Sequence, residues 1–185
     1  MPPGTIYMYY AHGGDSLNFS CQGDGNAVLI KSGYPASNDP TMLHKMRKLN
    51  PPSSAASGKA TKNFSLKYQI CLFFAMSSNT NIFLDERSID RLCAGQTLLC
   101  KSLGLKVVNW DGKQLQSSKF RIVENYGDGE TTTVREIIQT TRLGIPKGRD
   151  EHLDYRFIDA EYVTKCTKNP LTVRRNPPKI TRITN

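Results

Sequence analysis

A chain of 185 residues with 25 Lys/Arg against 16 Asp/Glu, and a net charge of +9, has the length of one domain with room for flanking arms. Hydrophobic residues make up 38% and the mean hydropathy is −0.46. No apolar run approaches the roughly 18 residues of a membrane span, and the N-terminus lacks the basic-then-apolar order of a signal peptide. An intracellular, cytoplasmic or virion-borne protein is therefore expected.

Five cysteines without a Cys-x-x-Cys pair, and histidines at 12, 44 and 152, argue against a zinc site or a disulfide framework and for free thiols. No metal and no cofactor is expected. Residues 1–62 hold six Lys/Arg against three Asp/Glu, residues 63–162 hold thirteen against thirteen, and residues 163–185 hold six against none. The net charge thus lies in the two flanks of a neutral body, an arrangement suited to a polyanion or an acidic partner surface.

Taken in chain order, "TIYMYY" at 5–10 is β-branched and aromatic and runs into Gly13-Gly14-Asp15, so it reads as a strand ending in a turn. "NAVLIKSG" at 26–33 follows Gly23-Asp24-Gly25 and reads as a second strand able to pair with the first. Asp39 as N-cap, Pro40 at the first helical position, a stripe of Met42, Leu43, Met46 and Leu49, and the stop Asn50-Pro51-Pro52 define a short basic helix. "PPSSAASGKATK" at 51–62 has the composition of a linker.

"LKYQICLFFAM" at 66–76 is apolar on both faces and reads as a central strand, followed by "NIFL" at 81–84. Asp85 is placed to cap a second helix carrying Ile89, Leu92 and Cys93 and ended by Gly95. "TLLCKSLGLKVVNW" (97–110), "SKFRIVEN" (118–125) and "TTTVREIIQTTRL" (131–143) read as strands, joined by Asp-Gly turns at 111–112 and 128–129. "HLDYRFIDAEYV" alternates again. The last 20 residues carry three prolines and no acid and read as an extended arm, with "LTV" and "KITRIT" able to add as edge strands to a neighbour.

The resulting expectation is a mainly β protein: an antiparallel sandwich or jelly-roll-like barrel with two short helices and an extended basic C-terminal arm. It divides into an N-terminal hairpin, helix and linker (1–62), a β-rich core (63–162) and the arm (163–185), in one domain overall.

Gly14-Asp15-Ser16-Leu17, preceded by His12 and Gly13, resembles the first block of the GDSL esterases. The resemblance implies Ser16 as nucleophile and His152 as its base. That family also carries a Gly-x-Asn-Asp block and an Asp-x-x-His. Here Asn38-Asp39 lacks the glycine, and Asp150-Glu151-His152 is one residue short. Tyr162-Val163-Thr164-Lys165 resembles the Tyr-x-x-Lys of rolling-circle endonucleases, without the paired histidines those enzymes use for metal.

With neither catalytic set complete, no catalytic residue is assigned. The favoured expectation is a non-enzymatic structural or binding protein that self-associates and contacts nucleic acid, as a viral coat or matrix protein does. Non-specific phosphate contacts would come from Lys165, Lys168, Arg174, Arg175, Lys179 and Arg182. A GDSL-like esterase, and an interaction module that binds a protein and no nucleic acid, are the alternatives; an acidic protein or membrane surface would also suit the charge.

Overall fold

The structure is a computed structural model that describes residues 1–11, 13–52, 86–115, 120, 122, 134–167, 169–172 and 179–184. Three N-terminal strands, β1 (Ile6–Ala11), β2 (Gly14–Ser20) and β3 (Ala27–Ile30), form an antiparallel sheet in the order β1-β2-β3. Residues directly opposite one another share a face, so Ile6, Phe19 and Val28 lie together, as do Met8, Leu17 and Ile30. Ile6, Met8, Leu17 and Phe19 are buried against Cys100 and Leu105, with Trp110 and Phe120 packed on the rim. This layer carries the sequence alternation directly into a core.

The free edge of β1 is covered from far along the chain. Lys113 O accepts from Ile6 N at 2.7 Å, Gly112 N donates to Ile6 O at 2.9 Å, and Leu115 N donates to Gly4 O at 2.9 Å. The Asp111 carboxylate accepts from Met8 N at 2.9 Å. An edge strand that would otherwise present open donors and acceptors is thereby closed.

Helix α1 (Pro40–Leu49) forms as its punctuation requires. Asp39 accepts from Thr41 N at 3.1 Å and Met42 N at 3.2 Å, satisfying two orphan donors, a cap worth about 1 kcal/mol. Three more helices follow among the described residues: α2 (Ile89–Leu92), α3 (Gln96–Ser102) and α4 (Val107–Trp110). Leu43 and Met46 of α1 pack with Leu92, Cys93 and Leu99. Asn50 is buried where these helices meet, its amide donating to Leu92 O at 3.0 Å and Leu98 O at 3.2 Å. Burial pushes the Cys93 thiol up, and burial together with the nearby Asp15 charge pushes Cys100 up to about 11, so both thiols are neutral at ordinary pH.

A second antiparallel sheet has the order β5-β4-β6, from β4 (Val134–Thr140), β5 (Arg156–Asp159) and β6 (Lys179–Thr184). Ile138, central in β4, is fully buried and stands opposite Ile158 and Ile180.

The expected antiparallel sandwich or jelly-roll-like barrel is overturned. The fold is mixed α/β with small sheets, and neither sheet closes on itself. The main cause is 97–110, read as strand and folded as α3 and α4. Helix α3 ends in a Schellman motif, in which Gly104 N donates to Lys101 O and Leu105 N to Cys100 O, with Gly104 at φ +65°. A short run rich in Leu, Cys and Val is equally compatible with a buried strand or a buried helix, and the glycines at 95 and 104 decide for helix. The other misreadings are local. Ser88, not Asp85, precedes α2; "NAVLIKSG" pairs with β2 and not with β1; and Asp111-Gly112 turns the chain along β1 instead of closing a hairpin.

The expected strands at 66–76 and 81–84, most of 118–125, and the turn at 126–129 lie outside the described residues, as does His12. Among the described residues no helix is long and apolar enough to cross a membrane.

Candidate nucleic-acid interface

With Ile6 and Met8 committed to the core, the alternation of β1 turns Tyr7 and Tyr9 to the opposite face of the sheet. Each is 38% exposed, and their ring centroids lie 5.6 Å apart at an interplanar angle of 42°. Tyr10, next in the strand, is 70% exposed. On the same face stand Asn18, opposite Tyr7, and Ser16, opposite Tyr9, with Leu29 of β3 opposite Asn18.

These polar residues are fixed. Asn18 Nδ2 donates to Tyr7 O at 3.0 Å. Ser16 is fully buried, and its Oγ accepts from Gln96 Nε2 at 2.8 Å, while Gln96 Oε1 accepts from Lys31 Nζ at 2.7 Å. Gln96 reaches this position because α3 presses on the hairpin at Gly14. A Cβ built on Gly14 would overlap the Thr97 side chain, so residue 14 has room for glycine alone.

The strand residues of this face carry no carboxylate or imidazole. Two carboxylates that bind at the hairpin are spent on backbone donors: Asp15 Oδ1 on Val107 N at 3.2 Å, and Asp111 on Met8 N. The face therefore offers flat aromatic surface, the exposed parts of Tyr7 and Tyr9, above a buried layer of Ser16 and Asn18 that holds the strands in place. That surface suits stacking on a planar heterocycle.

The structure also rearranges the residues singled out in the sequence. Ser16 is no exposed nucleophile: it sits within β2 with its hydroxyl tied to Gln96, and the GDSL esterase alternative falls with it. Lys165 pairs with Asp90 at 2.7 Å and lies over the Tyr34 ring, 5.9 Å from its centroid, while Tyr34 packs on Tyr162. Lys179 and Arg182 lie in β6, at the backbone positions opposite Gln139 and Glu136, so "KITRIT" adds to a sheet of its own chain. Lys168, Arg174 and Arg175 lie outside the described residues. Sequence reasoning missed Tyr7, Tyr9 and Asn18 as a set, although the alternation of Ile6/Met8 with Tyr7/Tyr9 already placed two aromatic rings off the core.

The family model for methylpurine-DNA glycosylase matches residues 1–162. A protein named as a putative 3-methyladenine DNA glycosylase from Pseudomonas syringae pv. tomato is 49% identical over 171 residues, covering 91% of this chain and 61% of that protein. Proteins of the same name from Pseudomonas aeruginosa and Pseudomonas fluorescens are 46% and 48% identical over the same length, covering 57% and 59% of those proteins. The chain thus spans about three-fifths of the length of these relatives. The expectation of a non-enzymatic viral coat or matrix protein is overturned, because the relatives are named as enzymes that act on DNA.

Proposed function

The chain belongs to the methylpurine-DNA glycosylase family, and from that premise we propose that it recognises an alkylated purine in DNA and serves its release from the sugar, with the Tyr7/Tyr9 face as the stacking surface. A base inside a duplex is shielded by its neighbours, so an enzyme acting on it must take the base out of the stack and hold it between flat side chains. Alkylation of a purine ring nitrogen leaves the nucleoside with a positive charge. A cationic ring is drawn to the π face of tyrosine more strongly than a neutral one, which favours the damaged base. The same charge makes the purine a better leaving group: water adds to the sugar carbon as the glycosidic bond breaks, its proton passes to solvent, and the purine departs neutral with the bonding pair.

The observation that carries this reading is the pair of tyrosines, 38% exposed each, on a strand whose other face is core. Asn18, buried with its amide donating to Tyr7 O, braces the strand that presents them. For the sequence-derived cations, the reading retains Lys168, Arg174, Arg175, Lys179 and Arg182 as phosphate contacts, on the support of a 23-residue segment with no acid. Lys165 instead spends its ammonium on Asp90.

The test is binding to a methylated duplex and to the same duplex unmethylated, with Tyr7→Ala, Tyr9→Ala and the corresponding Phe variants. Alanine at either position should cost on the order of 10- to 100-fold in binding of the methylated duplex, and Phe should retain most of it. Equal binding of both duplexes by the parent chain, unchanged in the Ala variants, would overturn the reading.

A further inference from the structure

Between Asp39 and Asp85 the chain has no acidic residue across 45 positions, which carry six Lys/Arg. Part of this stretch is α1, and its described cations divide into two groups. Arg47 is committed, to Glu86 at 3.1 Å and to Arg87 O at 3.1 Å. Lys45 and Lys48 are exposed and enter no ion pair among the described residues, and the same holds for Lys101 on α3.

The acids bordering this surface are occupied: Asp39 by the α1 cap, Glu86 by Arg47 and Asp90 by Lys165. Packing brings the two helix ends together. A Cβ on Gly104, three residues after Lys101, would lie 3.5 Å from Leu49 Cδ1, the residue after Lys48.

We infer that Lys45, Lys48 and Lys101 form a second contact surface for the DNA backbone, separate from the tyrosine face; this rests on the DNA-glycosylase reading. Helix α3 sets the spacing. Gln96 at its start touches Ser16 on the tyrosine sheet, and its last residue lies about 9 Å further along the axis. One turn of duplex is about 34 Å, well beyond this separation, so both surfaces fit within the length of one bound duplex. Lysines in a last helical turn also favour the helix dipole, which accounts for Lys48 and Lys101 but not for Lys45. Such contacts neutralise phosphates without reading bases, so they raise affinity for any duplex and leave the preference for a methylated purine unchanged.

The experiment measures binding of the full chain to an unmethylated duplex from about 50 to 200 mM salt, for the parent, Lys45→Gln/Lys48→Gln/Lys101→Gln, and the matching triple Arg variant. Each phosphate contact removed lowers the slope of log K against log salt by about 0.9. The Gln triple should lose about two to three units of slope, the Arg triple none, and the ratio of methylated to unmethylated binding should hold. The single Lys45→Gln variant, at an exposed position, gives the same readout on a smaller scale if the triple does not fold. A slope unchanged in the Gln variants would remove this inference alone. A parent chain without salt-sensitive DNA binding would remove the glycosylase reading and this inference with it.

Discussion

Asp111 Oδ1 accepts the Met8 amide proton at 2.9 Å, joining residues 103 positions apart. Met8 lies between the two tyrosines in β1, so the carboxylate holds the strand that presents them. Replacing Asp111 by Ala removes the acceptor and reopens the strand edge, at about 1–2 kcal/mol for a charge-assisted bond at a partly exposed position. For a chain of this size that is a fall in Tm of about 2–8 °C. Asp111→Asn keeps an acceptor oxygen and should recover most of the loss. Thermal melts of the two variants decide it; an Ala variant as stable as the parent would show that the bond contributes nothing.

Gly14 is a glycine for a steric reason. Its backbone is not in the left-handed region, whereas neighbouring Gly13 is, at φ +80° with open space where a Cβ would stand. Gly14→Ala should therefore cost about 1–3 kcal/mol through overpacking against Thr97, and Gly14→Ser should cost more. Denaturant unfolding would show this ordering. The binding of a methylated duplex should weaken in parallel, because α3 must retreat and take Gln96 away from Ser16. Equal stability of the Ala, Ser and parent chains would contradict the close approach.

The attachment of residues 162–167 to α2 sets a pH window. The Lys165 ammonium, hydrogen-bonded to Asp90, holds the Asp90 carboxyl below the usual carboxylate range, and Asp90 in turn raises Lys165. Desolvation, then the bond to Asp90, raises the Tyr34 phenol. Because the folded-state value of Asp90 is lowered, its contribution is complete above about pH 4 and is lost as pH falls through that lowered value. Lys165 and Tyr34 are raised, so theirs is complete below about pH 10 and is lost as pH rises through the raised values. In Asp90→Asn the acid limb of Tm against pH should flatten and Tyr34 should ionise at lower pH, read by phenolate absorbance. A Tyr34 titration unmoved by the substitution would rule out the coupling.

Part of this architecture was legible because local chemistry left little choice. Asp39-Pro40 at one end and Asn50-Pro51-Pro52 at the other bracket α1, and the apolar spacing between them buries Leu43 and Met46. β1 was legible from its β-branched and aromatic run. β2 was not: Gly13-Gly14-Asp15-Ser16 has the composition of a turn, and the need for glycine at 14 comes from Thr97, more than 80 residues away. The turn expected at 110–113 does form, with Lys113 N donating to Trp110 O at 3.3 Å, but it closes no hairpin, and its Asp111 carboxylate is used by Met8 of β1. The candidate site was the least legible part. Tyrosines in a strand pattern read first as strand formers, and only the burial of Ile6 and Met8 shows which face is left for a ligand. Charge drew attention to the C-terminal cations, whereas the structure commits Lys165 to Asp90.

The contact between Met8 and Asp111 also has a meaning in time. On the ribosome the tyrosine strand is made before the segment that seals its outer edge, which follows 103 residues later. At about 5–20 residues per second, β1 and β2 wait on the order of 5–20 s with one row of donors and acceptors uncovered. Until then the nascent hairpin can recruit a strand from another chain. Slower synthesis or overproduction should therefore lower soluble yield more than the stability of the finished protein would suggest.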